Sequence, residues 1–156
     1  QQRRQELRVR EIAKTITITP GDGPKTPLVF PNQGNSEPGY TQSLLIFNII
    51  EINEKHFKRE GDNLVYTASI SLMDALDSRS ISVVTLPTQK ELNGELISLH
   101  FDEIISPQTR RTLPGRGMPV RGKPGVRGQL IVRFDIQFPE EIDLPKKNRI
   151  VELLKS

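Results

Sequence analysis

The sequence predicts a mainly β protein: two tandem β-sandwich-like modules, with one short helix in the second and a short C-terminal helix. Three observations lead there. Short stretches alternate apolar and polar residues with period 2, as half-buried strands do. Turn-forming clusters separate them, above all Pro20-Gly21-Asp22-Gly23-Pro24. The chain also repeats itself. Pro24-Lys25-Thr26-Pro27-Leu28-Val29-Phe30-Pro31-Asn32-Gln33-Gly34 is echoed by Pro107-Gln108-Thr109-Arg110-Arg111-Thr112-Leu113-Pro114-Gly115-Arg116-Gly117. The echo resumes where Gln42-Ser43-Leu44-Leu45-Ile46-Phe47-Asn48-Ile49 meets Gln129-Leu130-Ile131-Val132-Arg133-Phe134-Asp135-Ile136. Upstream, Ile16 and Ile18 fall on Leu99 and Phe101. A period this long exceeds a solenoid unit and suits two small domains.

The elements follow in chain order. Positions 15–19 alternate Thr and Ile and read as a strand. Leu28-Val29-Phe30 is a second, short strand, and positions 32–40 form a loop. Positions 44–50 are nearly all apolar, as in a strand covered on both faces or a buried helix; Ile46, Ile49, Ile50 and Ile52 favour the strand through β-branching. Positions 63–69 alternate, with Leu64, Tyr66 and Ala68 on one face. Ser71 caps a helix of one or two turns, Asp74 standing where a capping box usually has Glu or Gln. Leu72, Ala75 and Leu76 would point inward. Further strands are expected at 80–86, 95–101, 109–113 and 129–138. Positions 148–155 read as a helix with Ile150, Val151, Leu153 and Leu154 apolar.

The division expected is a first module at 1–52, a second at 53–145 and a terminal helix at 146–156. Shifting the strand at 80–86 back by the repeat offset runs to or past the first residue. The first module is therefore expected to lack its opening hairpin, as in a fragment of a longer protein.

Composition narrows the function. Of 156 residues, 35% are apolar and 5% aromatic, enough for thin cores only. There is no Cys, so disulfides and thiolate-bound zinc are excluded within the sequence, in keeping with a reducing compartment such as the cytoplasm. No apolar run approaches the ~20 residues of a membrane span. Catalysis finds no support: His56 and His100 lie far apart, and nothing apolar surrounds Glu140-Glu141 to separate their pKa values. No metal set or phosphate-loop spacing occurs, so neither a cofactor nor an enzymatic activity is expected.

Four motifs carry a family resemblance. They are Phe57-Lys58-Arg59-Glu60-Gly61-Asp62-Asn63-Leu64, Ile70-Ser71-Leu72-Met73-Asp74-Ala75-Leu76, Leu113-Pro114-Gly115-Arg116-Gly117-Met118-Pro119 and Arg127-Gly128-Gln129-Leu130-Ile131-Val132. In this order and spacing they resemble the C-terminal half of DnaJ-type co-chaperones, the 40-kDa heat-shock proteins, of the class without a zinc finger. The family's J domain and Gly/Phe-rich linker do not occur in the sequence, so no stimulation of a partner ATPase is expected from it alone.

The resemblance implies a shallow apolar groove on the first module that holds unfolded clients by strand addition. Phe47 is the lining position that carries over, with Leu45 and Ile49 beside it; the competing reading makes Phe47 plain core. It also implies a homodimer paired through Ile150, Val151, Leu153 and Leu154, against packing of the helix on its own module. The 70-kDa heat-shock chaperone would be the partner that receives clients. The basic stretch Arg110, Arg111, Arg116, Arg121, Lys123 and Arg127 leaves RNA binding as an alternative function. It lacks interleaved aromatics for base stacking, so nucleic acid is not the expected partner.

Overall fold

The computed structural model describes residues 10–52, 56–77, 81–85 and 94–155. Among them are eight strands and two helices: β1 (Leu28–Phe30), β2 (Leu45–Phe47), β3 (Phe57–Glu60), β4 (Asn63–Ser71), α1 (Leu72–Asp77), β5 (Ile81–Val84), β6 (Leu96–Leu99), β7 (Arg110–Leu113), β8 (Leu130–Gln137) and α2 (Leu144–Leu154). The mainly β class is as expected.

β1 and β2 make a two-stranded antiparallel sheet, and β5 and β6 make another. The larger sheet runs β3-β4-β8-β7. At its centre β4 and β8 lie parallel, with Leu64 opposite Leu130, Ala68 opposite Phe134 and Ile70 opposite Ile136. Parallel neighbours need a long crossover. Here α1, the β5–β6 pair and β7 all intervene in sequence. The even-numbered residues of β4 and β8 share a face, and the buried residues of β5–β6 pack on it. Leu64, Ala68, Ile70, Leu130, Val132 and Phe134 join Ile81, Val83 and Leu99 in one cluster, together with Ala75 and Ile105. Two sheets facing across one core are the sandwich-like arrangement read from the pattern.

β3, missing from the strand expectations, pairs with β4 through a hairpin whose two loop residues are Gly61 and Asp62. Gly61 has φ +64°, which suits the tight turn. A Gly-Asp pair between alternating residues was the available signal. The loop at 115–128 folds onto this turn. Met118 N–H donates to the Asp62 carbonyl at 2.9 Å, and an added Cβ at Gly128 would collide with that same oxygen.

Four local expectations are corrected. Residues 15–19 form no strand, for no described neighbour pairs with them. The strand at 44–50 shrinks to Leu45–Phe47, the only stretch opposite β1. Leu76 does not point inward; it is 50% exposed, while Ala75 alone in α1 is buried. The terminal helix starts at Leu144 rather than 148, with Pro145 in its first turn, where a missing N–H costs nothing. Ser71 caps α1 as expected: its Oγ accepts from Asp74 N–H at 3.0 Å and donates to the Asp74 carboxylate at 2.7 Å. Ser80 and Leu86, the ends of one expected strand, lie outside the described residues.

The repeat is written in backbone hydrogen bonds. Thr26 N–H donates to the Gly23 carbonyl as Thr109 N–H does to Ser106. Gly34 N–H donates to Ser43 as Gly117 N–H does to Gly128, and Ser43 N–H donates to Asn35 as Gly128 N–H does to Met118. The match also corrects the alignment of the second strand. Phe30 faces Leu45, whereas Leu113 faces Leu130. Leu45 therefore corresponds to Leu130, and Phe47 to Val132 rather than Phe134.

Candidate client-binding and pairing surfaces

The β1–β2 hairpin turns one face partly inward. Pairing sets Leu28 beside Phe47 and Phe30 beside Leu45. All four side chains are half-buried, as is Ile49 just beyond β2. Phe30 and Phe47 meet edge-to-face with ring centroids 5.9 Å apart, a favoured aromatic geometry. Lys14 Nζ lies 4.4 Å above the Phe30 ring and donates to Gln33 Oε1 at 2.5 Å. On the other face Val29 and Ile46 stand about half exposed, at 49% and 51%.

Leu45, Phe47 and Ile49 are thus brought to one side, with Phe30 as the member sequence reasoning missed. Its signal was available: Phe30 lies at the end of the expected strand, in register with the repeat. None of these residues belongs to the buried cluster. Among the described residues, no apolar side chain before position 57 does.

α2 is the second candidate surface. Its eleven residues include none that is buried. Ile150 and Val151 are each 43% exposed, and Leu153 and Leu154 stand at 70% and 73%. Spacings of three and four place Ile150, Leu153 and Leu154 on one stripe, with Val151 at its side. Asp143 pairs with Lys146 at 3.2 Å at the helix start. An isolated helix of this length is marginal in water, so its stability depends on what it packs against.

A model of the DnaJ C terminal domain family matches residues 1–139. The chain belongs to this family. It is 41% identical over 140 residues to DnaJ protein homolog 1 of Drosophila melanogaster, covering 89% of this chain and 40% of that relative. It is 31% identical over 137 residues to human DnaJ homolog subfamily B member 5, covering 88% of this chain and 37% of the relative. Protein SIS1 of Saccharomyces cerevisiae is 31% identical over 138 residues, with coverages of 88% and 38%. The chain spans less than half the length of these relatives. The membership read from the four motifs therefore stands.

The arginines of the basic stretch of this DnaJ C-terminal chain each contact their own protein, although Arg110, Arg111, Arg121 and Lys123 remain exposed. Arg111 lies 4.6 Å over the Phe101 ring and donates to the His100 carbonyl. Arg116 pairs with Glu95, and Arg121 Nε lies 3.1 Å from Asp22 Oδ1. Arg127 Nε donates to the Gly117 carbonyl at 2.8 Å, and Arg110 donates to the carbonyls of Pro107 and Thr109. These guanidinium groups tie loops together. Among the described residues no group of three or more His, Asp or Glu side chains gathers in a way that would hold a metal ion. No described helix is long and apolar enough to cross a membrane.

Proposed function

We propose that this chain is the client-holding and dimerising part of a DnaJ-type co-chaperone. It holds extended, apolar segments of unfolded proteins, without catalysis or cofactor, for transfer to a 70-kDa heat-shock chaperone in the cytoplasm. Residues 1–52 form the client module, 53–145 the core-bearing module and 146–156 the heart of the pairing element. Family membership supports the class of function. The observation that carries the finer reading is α2, an apolar-striped helix with no buried residue. Pairing through Ile150, Val151, Leu153 and Leu154 would put two client surfaces on one particle. Linked sites gain ~10²–10⁴ in avidity with no new contact.

The half-buried face around Phe47 supports strand addition at the hairpin. Backbone bonds tolerate any sequence, while Leu45, Phe47 and Ile49 select bulky apolar side chains. Each buried anchor contributes roughly 1.5–3 kcal/mol, so a single site binds weakly and pairing matters. RNA binding has less support, because the arginines it would need hold loops of the protein itself.

Sedimentation tests the pairing. The whole chain is expected at twice its monomer mass, and removal of residues from Asn148 onward is expected to halve it. An unchanged mass after the deletion ends the pairing reading. Binding of a labelled apolar peptide tests the face: Phe47→Ala is expected to weaken it more than it lowers thermal stability. Loss of stability alone would return Phe47 to a packing role.

A further inference from the structure

The Pro20-Gly21-Asp22-Gly23-Pro24 cluster does more than turn the chain. It is where the first repeat unit touches the second. Gly21 has φ +94°, and an added Cβ would lie 2.6 Å from Arg121 N and 2.8 Å from Arg121 Cα. The two backbones meet directly there, and only glycine permits it. A Cβ at Gly23 would lie 2.8 Å from Arg59 Nη1 and 3.0 Å from Glu51 Oε1. Between the glycines, Asp22 is nearly enclosed, its side chain 3% exposed. Asp22 Oδ2 accepts from Thr19 N–H and Thr19 Oγ1, each at 2.8 Å; Oδ1, buried and accepting no hydrogen bond, has only the ion pair with Arg121 Nε at 3.1 Å.

Arg59 closes the junction from β3. Its Nη1 donates to the Asp22 carbonyl at 3.0 Å and its Nη2 to the Gly21 carbonyl at 3.2 Å. Nε donates to Gly61 O at 2.7 Å, and Nη1 also meets the Glu51 carboxylate. The side chain is 15% exposed. A guanidinium so enclosed is tolerable only because its planar fork finds acceptors on several sides. An ammonium on a flexible stem cannot reach them together.

We propose that Arg59, Asp22 and Arg121 form a latch that holds the two repeat units in one fixed relative placement, with Arg59 as its positioning residue. The latch sets where the β1–β2 face stands relative to the core and α2. This geometry does not depend on what the face binds.

Two spin labels read the placement directly. The chain has no cysteine of its own, so Thr41→Cys on the first hairpin loop and Gln137→Cys at the end of β8 carry the labels. Labelled chains are diluted in excess unlabelled chain, so that only distances within one chain are measured. The unaltered latch is expected to give one narrow distance peak. Arg59→Lys is expected to lose that peak to a broad distribution, and Arg121→Ala to broaden it less. Near-UV circular dichroism reports whether the core-bearing unit stays folded. A narrow, unmoved peak in Arg59→Lys overturns the latch. Should Arg59→Lys unfold, Arg121→Ala and Gly21→Ala decide: unmoved narrow peaks in both overturn it equally.

Discussion

The hairpins β1–β2 and β7–β8 share a hydrogen-bond pattern and differ in what lies behind them. In the second, Leu130 and Val132 are fully enclosed because β8 sits between β4 and β7, with β5–β6 above. In the first, the equivalent Leu45 and Phe47 are half-buried, and the hairpin has no third strand among the described residues. A two-stranded hairpin alone is marginal in water. Local chemistry therefore repeats the turns and the register of the first strand, while burial depends on neighbours supplied from elsewhere in the chain. The first hairpin leaves these apolar positions partly exposed; the second encloses them in its core.

The largest test of that contrast uses one substitution at two equivalent positions. Leu130→Ala is expected to cost ~2–5 kcal/mol, the range for enclosed leucines. Leu45→Ala is expected to cost less, because part of its side chain already meets water. Urea unfolding measures both. Equal losses would mean that the first hairpin is as firmly packed as the second.

A smaller effect separates the two loop glycines that donate equivalent hydrogen bonds. A Cβ at Gly117 would lie 2.6 Å from Gly128 C and 2.7 Å from Asp62 O, both backbone atoms. At Gly34 the nearest atom is Ser43 Oγ at 2.5 Å, the tip of a side chain that can rotate, followed by Leu44 O at 2.7 Å. Gly117→Ala is expected to cost roughly 1–3 kcal/mol, as overpacking does. Gly34→Ala is expected to fall below it. Thermal melts of both variants rank them, and the reverse order would contradict the view that the second unit is the tighter.

The same contrast explains what the sequence discloses and what it hides. The strand at Leu28, the alternation along β4, the Ser71 cap and the stripe on α2 were all legible, since each follows from residues a few positions apart. The parallel pairing of β4 with β8 was not, for nothing local joins Leu64 to Leu130. Residues 15–19 carry a strand's alternation yet form none, because alternation states a preference that only a neighbouring strand can satisfy. Phe47, Leu45 and Ile49 were legible as candidate site residues through family motifs. Their half-buried state was not, since the same apolar pattern is enclosed in the second unit. The latch was hidden for a related reason. Pro20 to Pro24 announces a turn, but Arg59 and Arg121, which make it a junction, lie far along the chain.

The smallest effect expected is an acid-dependent loosening of the first hairpin alone. The Thr19 backbone N–H, and then its hydroxyl, hold the Asp22 carboxyl below its ordinary range, and the Arg121 guanidinium adds to this. A carboxylate favoured by folding contributes its full stability above the unfolded-state value, about 3.9 for aspartate. That contribution fades as the pH falls through the lower folded-state value. The second hairpin meets Asp22 only through Arg121 in its loop, and β8 is held besides by its pairing with β4. Lowering the pH below about 4 is therefore expected to speed amide exchange at Gly34 and Ser43 before it does so at Gly117 and Gly128, after correction for the intrinsic exchange rate. Asp22→Asn removes the titrating group and is expected to flatten this difference between the hairpins. If both hairpins lose protection together in the unaltered chain, they form one cooperative unit, and the distinction between a latched hairpin and a core-bound one fails.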